Sequence, residues 1–132
     1  MIVLFITTRR RVAARYDAGL RDVPGITPLL PPPGCEPNYY KYVALLDPHI
    51  DRADLKRRLR DEHDVSMSGE VYAAPLHRQP VFSTLAHGPL PVAEDTCARQ
   101  VCLPVHSDMT DAEADHVVAG VRQALRDIGG GR

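Results

Sequence analysis

Tryptophan is absent from this chain of 132 residues, phenylalanine occurs twice, and lysine only twice, at Lys41 and Lys56. Fourteen arginines carry nearly all the positive charge, and the formal net charge is -1. A balance this close to neutral gives no general attraction to nucleic acid. The aromatic run "NYYKY" sits in apolar, neutral surroundings and reads as a core strand, not a base-stacking platform. The three cysteines, Cys35, Cys97 and Cys102, form no CxxC pair, and their odd number excludes a closed disulfide framework. Cys97 and Cys102 read as buried packing residues. The apolar run "MIVLFITT" is too short to span a bilayer, and its basic cluster Arg9 to Arg11 follows it instead of preceding it. A cytoplasmic protein with no membrane partner is the expectation. Glycine clusters only in the terminal "GGGR", so no glycine-rich loop before a helix offers a phosphate cradle. His49, His63, His87, His106 and His116 have no i, i+4 pairing and no neighbouring thiol, so no metal site is expected.

What is present fits one domain, since a chain of this length buries roughly two-thirds of the surface its unfolded form exposes. "RRRVAARYDAGLRDV" spaces Val12, Ala13, Tyr16, Leu20 and Val23 as an amphipathic helix. Pro24 and Gly25 stop it, and the proline-dense "PGITPLLPPPGCEP" is a connector. "NYYKYVALL" is a strand by its aromatic and β-branched content. The next helix, over "DRADLKRRLRDEHD", has Asp51 as N-cap, Asp54 in its first turn, and an Ile50 to Leu55 staple. "VSMSGEVY" alternates and reads as a second strand, "PVAEDTCARQ" as a short helix, and "VCLPV" as a third strand. Thr110 and Glu113 in "TDAE" form a capping box for the last helix. Ala114, Val117, Val118, Val121, Leu125 and Ile128 make its buried stripe. The result is an α+β fold: a small sheet of about three short strands with helices packed on one face. Residues 1–8 are an atypical apolar segment, 9–128 the domain, and 129–132 a frayed tail.

"SGEVYAAPLHRQPVF" concentrates the chemistry. Its prolines forbid a continuous helix, and Pro75 and Pro80 stiffen a loop carrying Ser68, Glu70, Tyr72, His77 and Gln79. Fixed donors and acceptors of this kind suit a polyhydroxylated or carboxylate substrate. The plainer readings stand beside this one: Glu70 a solvated charge, Tyr72 a core ring with its hydroxyl at the surface, His77 bonded to a backbone carbonyl.

From about Arg9 to Arg126 the order "RRRVAARYDAGL", "NYYKYVALL", "DRADLKRRLRDE", "SGEVYAAPLHRQPVF" and "LPVAEDTCARQVCLPVHSDMTDAEADHVVAGVRQAL" resembles the C-terminal small domain of the DegT/DnrJ/EryC1/StrS family. Its members are pyridoxal-phosphate aminotransferases that aminate sugars and cyclitols, and the loop is most similar to glutamine-dependent cyclitol enzymes of aminoglycoside biosynthesis. The resemblance implies an enzyme roughly three times longer, whose large domain carries the cofactor. It also implies that the loop closes over the amino donor and acceptor. Neither Lys41 nor Lys56 stands in the serine-rich context of the family's cofactor lysine, so this chain alone is expected to bind no pyridoxal phosphate and not to transaminate.

Two classes of function follow. The chain is part of an aminotransferase, split or truncated, with a separate large-domain chain as partner, or it is a stand-alone binding or assembly module. A resemblance that begins only after "MIVLFITT" suggests a shortened or re-evolved beginning. Exposed apolar surface at "IVLFI" further leads to the expectation of a homo-oligomer, a two-fold dimer.

Overall fold

Helix α1 runs from Ile2 to Leu20 and buries Val12, Ala13, Tyr16 and Leu20. The structure, a computed structural model, describes residues 2–130. The helix therefore takes in residues 2–8 of the apolar segment, which is expected from the sequence to lie outside a helix beginning at Arg9; Met1 lies outside the described residues. Burial does not cause the extension, because Ile2, Val3 and Leu4 are 75%, 77% and 67% exposed. Once the buried turns are nucleated, each added residue contributes another backbone bond at little cost, so the helix propagates outward without an apolar face to guide it.

Strand β1, Ile26–Pro28, lies inside the proline-rich connector. Gly25, with φ +95, makes the turn into it. Its proline is tolerated because β1 is an edge strand. Strand β2, Tyr42–Leu46, starts four residues after the expected Asn38. Asn38 Oδ1 accepts from the Tyr40 amide at 3.0 Å, and Tyr39 takes a positive φ of 48, so a local turn consumes the front of the predicted strand. Helix α2, Arg52–His63, begins where its cap predicts: Asp51 accepts from the amides of Ala53 and Asp54 at 2.7 and 3.2 Å. Helix α3 spans Pro91–Arg99, and strand β3 spans Gln100–Leu103. Helix α4, Asp111–Gly130, is closed by the expected box, with Glu113 N donating to Thr110 Oγ1 and Thr110 N donating to Glu113 Oε2. The expected frayed tail is corrected at Gly129 and Gly130, which continue α4; Gly131 and Arg132 lie outside the described residues.

Among the described residues the strands form one antiparallel sheet in the order β1-β2-β3. Ile26 pairs with Leu46, and Tyr42 pairs with Leu103. The alternation of β2 turns Tyr42, Ala44 and Leu46 into the core shared with α1, α2 and α4. Helices α1 and α4 meet closely at Gly19, where a Cβ would come within 2.6 Å of Val118 Cγ1. Val43 faces the other way, toward α3. The strand expected over 65–72 does not form. Asp64 takes a left-handed conformation that returns its amide to Leu59 O, and the chain leaves α2 as a loop crossing the second face of the sheet. No helix among the described residues is long and apolar enough to cross a membrane.

Two phenols sit in this core. Tyr16 donates to Pro104 O at 2.5 Å, and Tyr42 donates to Asp17 Oδ1 at 2.6 Å. Burial raises both above the ordinary value of 10.0, and for Tyr42 the Asp17 carboxylate adds to the effect. Raised folded values mean that stability is intact below pH 10 and falls once unfolded-chain tyrosines begin to ionise. The melting temperature should hold through pH 9 and then drop, with a slope of roughly 1.4 kcal/mol per pH unit for each buried phenol. A Tyr16→Phe chain should lose about half of that slope, and an unchanged slope in thermal melts would show that Tyr16 is not a contributor.

Candidate functional site

The second face of the sheet carries the loop that the sequence singled out, and its five candidate residues fall into two groups. Over α2, Glu70 accepts from Lys56 Nζ at 2.8 Å, and Arg52 Nε lies 3.7 Å from the same oxygen. The Glu70 side chain is only 14% exposed. Burial pushes its pKa up, but the Lys56 hydrogen bond, its own backbone amide and the two nearby cations outweigh this and leave it below the ordinary carboxylate value. Glu70 is thus ionised and held at neutral pH. It is not the solvated charge of the plainer reading. Ser68 lies beside it in sequence, with Lys41 Nζ donating to Ser68 Oγ and Gly69 O, both at 3.4 Å. Both lysines of the chain therefore converge on residues 68–70.

Over α3, His77 stands in a single 3-10 turn, Leu76–Arg78, with its side chain 7% exposed. Its Nε2 lies 2.9 Å from Glu94 Oε1, Arg78 donates to the same oxygen at 3.0 Å, and the His87 ring meets it edge-on at 4.7 Å. The His77 and Arg78 hydrogen bonds hold the Glu94 carboxyl below its ordinary range. His77 therefore bonds a carboxylate, not a backbone carbonyl, and fastens the loop to α3. Gln79 Nε2 donates to Ala74 O at 3.3 Å and closes the same turn. Tyr72 is not a core ring, since it is 66% exposed. It borders an apolar groove of about 650 Å³ whose walls include Leu29, Val43, Leu90, Val92 and Cys97.

Four partners of these residues escaped the sequence reading: Arg52, Lys56, Glu94 and Gln100. Arg52 and Lys56 are four apart on one face of α2, a spacing that brings both to one neighbour. Gln100 carried a fainter signal, a polar residue opening an otherwise apolar strand. The residue is buried, 4% exposed. Its Oε1 accepts from Val71 N at 3.2 Å, and its Nε2 donates to Tyr72 O at 2.8 Å. Away from the loop, Glu62, His63 and Asp127 could each point one ligand atom toward a cation, but Arg58 already lies 3.8 Å from Glu62 and close to Asp127.

A three-stranded antiparallel sheet, with α1, α2 and α4 on one face and α3 and a pinned polar loop on the other, is an architecture found in solved aminotransferases. The aminotransferase TlmJ from Streptoalloteichus hindustanus shares this fold with a TM-score of 0.82 at 33% identity, over 95% of this chain and 33% of that one. The chain belongs to the DegT/DnrJ/EryC1/StrS aminotransferase family, which it matches over residues 2–122. It is 36% identical over 124 residues to a dTDP-4-dehydro-2,3,6-trideoxy-D-glucose 4-aminotransferase of Saccharopolyspora spinosa, covering 92% of this chain and 30% of that protein. It is 30% identical over 123 residues to a dTDP-3-amino-3,4,6-trideoxy-alpha-D-glucose transaminase of Micromonospora megalomicea subsp. nigra, covering 92% and 33%. The chain spans about a third of the length of these relatives.

Pyridoxal phosphate, the cofactor implied for the family, needs a free lysine amine, an acid for the pyridine nitrogen and a phosphate cradle. The residues present do not fit it. Lys56 is ion-paired to Glu70, and Lys41 is bonded to Ser68 and Gly69. Neither lines the apolar groove.

Proposed function

We propose that this chain is the acceptor-facing C-terminal part of an aminotransferase that places an amino group on a nucleotide-linked keto-sugar. The large domain, on the same or a separate polypeptide, supplies the cofactor and its lysine. One observation carries the reading: the polar loop is pinned at both ends, by Glu70 to α2 and by His77 to α3, and between them it presents an exposed Tyr72 at the mouth of an apolar groove. Such a surface is built to be covered, since contiguous exposed apolar side chains beside fixed polar groups mark a binding face. The exposed first turn of α1, Ile2 to Phe5, adds apolar area that a partner would bury. The activities of the Saccharopolyspora spinosa and Micromonospora megalomicea relatives support a dTDP-linked sugar as the acceptor in preference to a free cyclitol.

Within this reading the residues divide by exposure. Tyr72 offers a ring and hydroxyl to the acceptor, while His77 and Glu70 are occupied by protein partners and hold the loop in shape. The chain alone should give no saturable change in the absorption spectrum of pyridoxal phosphate. A chimera in which this chain replaces the C-terminal third of the Saccharopolyspora spinosa relative should aminate a dTDP-keto-sugar. Tyr72→Ala in the chimera should raise KM about tenfold or more, with less effect on kcat. A chimera that folds and binds the cofactor but turns over no keto-sugar would sink the proposal. So would a stoichiometric spectral change with the chain alone that Lys41→Ala abolishes.

A further inference from the structure

Gln100 is buried at the start of β3, opposite Leu45, and both ends of its amide are used on consecutive residues of the loop. A primary side-chain amide, unlike a trans peptide unit, can present its C=O and one N–H on the same edge. Accepting from Val71 N while donating to Tyr72 O, it clamps the bend at Val71 and Tyr72 from one side. The end of the 65–72 segment, which pairs with no strand, is thus fastened by one side chain. Losing the amide would leave the part-buried Val71 N–H and Tyr72 carbonyl without this partner.

The backbone of Gln100 is itself held. Arg52 donates to the carbonyls of Cys97 and Gln100 at 2.8 and 3.0 Å, fixing the junction between α3 and β3, and the same guanidinium approaches Glu70. One arginine thus ties the strand start, the helix end and the loop carboxylate together. The segment from Glu70 to Tyr72 is fastened by its side chain at one end and by its backbone at the other. The Tyr72 ring is left free above the groove.

We propose that Gln100 is a positioning residue: its buried amide clamps the Val71–Tyr72 backbone through two hydrogen bonds, and so sets where the Tyr72 ring meets the acceptor. The claim about the backbone stands on its own, whereas the claim about the acceptor rests on the proposed aminotransferase role.

The test begins with the 132-residue chain and amide hydrogen exchange. Gln100→Ala should raise exchange at Val71 by roughly tenfold while leaving Val101 and Leu103 protected. Unchanged exchange at Val71 overturns the pin. Should Gln100→Ala loosen the whole sheet, Gln100→Met keeps the volume without the amide: core protection restored with Val71 still exposed supports the pin, and protection restored at both refutes it. Gln100→Glu keeps the acceptor for Val71 but sets a carboxylate oxygen against Tyr72 O, and should give an intermediate effect. In the chimera, Gln100→Met should raise KM for the dTDP-sugar severalfold with kcat nearly unchanged, and it should remove most of the KM penalty of a further Tyr72→Ala substitution. Additive penalties would overturn the positioning role even where the pin exists. A parent chimera without turnover would instead refute the aminotransferase reading, and the exchange result would still decide the pin.

Discussion

Val121→Asp is expected to cost about 4–5 kcal/mol or more and to lower the melting temperature by roughly 15–20 °C, or to abolish the cooperative transition. Val121 is 1% exposed and lies on the stripe of α4 that also buries Ala114, Val117, Ala124 and Leu125. A carboxylate there loses its hydration. The neighbouring core residues offer no cation or donor within that stripe, so the group must either stay unpaired or drag the helix off the sheet. Ala119→Asp is the control, because it changes the same helix two residues away on an exposed face and should stay within about 0.5 kcal/mol of the parent. Thermal melts followed by far-UV circular dichroism distinguish the two. Equal melting temperatures for Val121→Asp and the parent would mean that α4 does not pack through this stripe.

The second large effect is at Tyr16, the largest of the fully buried side chains. Tyr16→Ala should destabilise by about 3–5 kcal/mol, the range for deleting a buried aromatic ring. The ring joins three parts of the chain: it sits on α1, meets the Tyr42 ring of β2 edge-on at 4.9 Å, and reaches Pro104 just after β3. Removing it leaves a cavity at their meeting point that no one of them can fill alone. Tyr16→Phe keeps the ring and leaves Pro104 O without its donor, so a loss nearer 1 kcal/mol is expected. Chemical denaturation at neutral pH should therefore rank parent, Phe and Ala in widely spaced order. Comparable losses for Phe and Ala would shift the weight from packing to the hydrogen bond.

The sequence alone settled those elements whose causes are local or strictly periodic. The starts of α2 and α4 follow from Asp51 and from the Thr110 and Glu113 box, because a cap and the amides it satisfies lie within three residues. The buried faces of α1 and α4 follow from helical spacing, and the aromatic and β-branched content of "NYYKYVALL" placed β2, though not its start. The motif order was enough for the family. Tertiary structure decided the rest. A three-residue strand inside a proline-rich connector exists only because β2 offers it an edge, and no window over Ile26–Pro28 contains that partner. The unformed strand at 65–72 shows the converse: Val71 N and Tyr72 O are taken up by Gln100, 29 residues from Val71 and invisible to any local pattern. In the candidate site, the loop and its residue types were legible, because prolines and polar groups announce a shaped segment. Which of those residues are free was not. Glu70 and His77 looked as available as Tyr72 until the fold brought Lys56 to one and Glu94 to the other, since whether a polar group binds a ligand or its own protein depends on what distant chain lies within 3 Å of it.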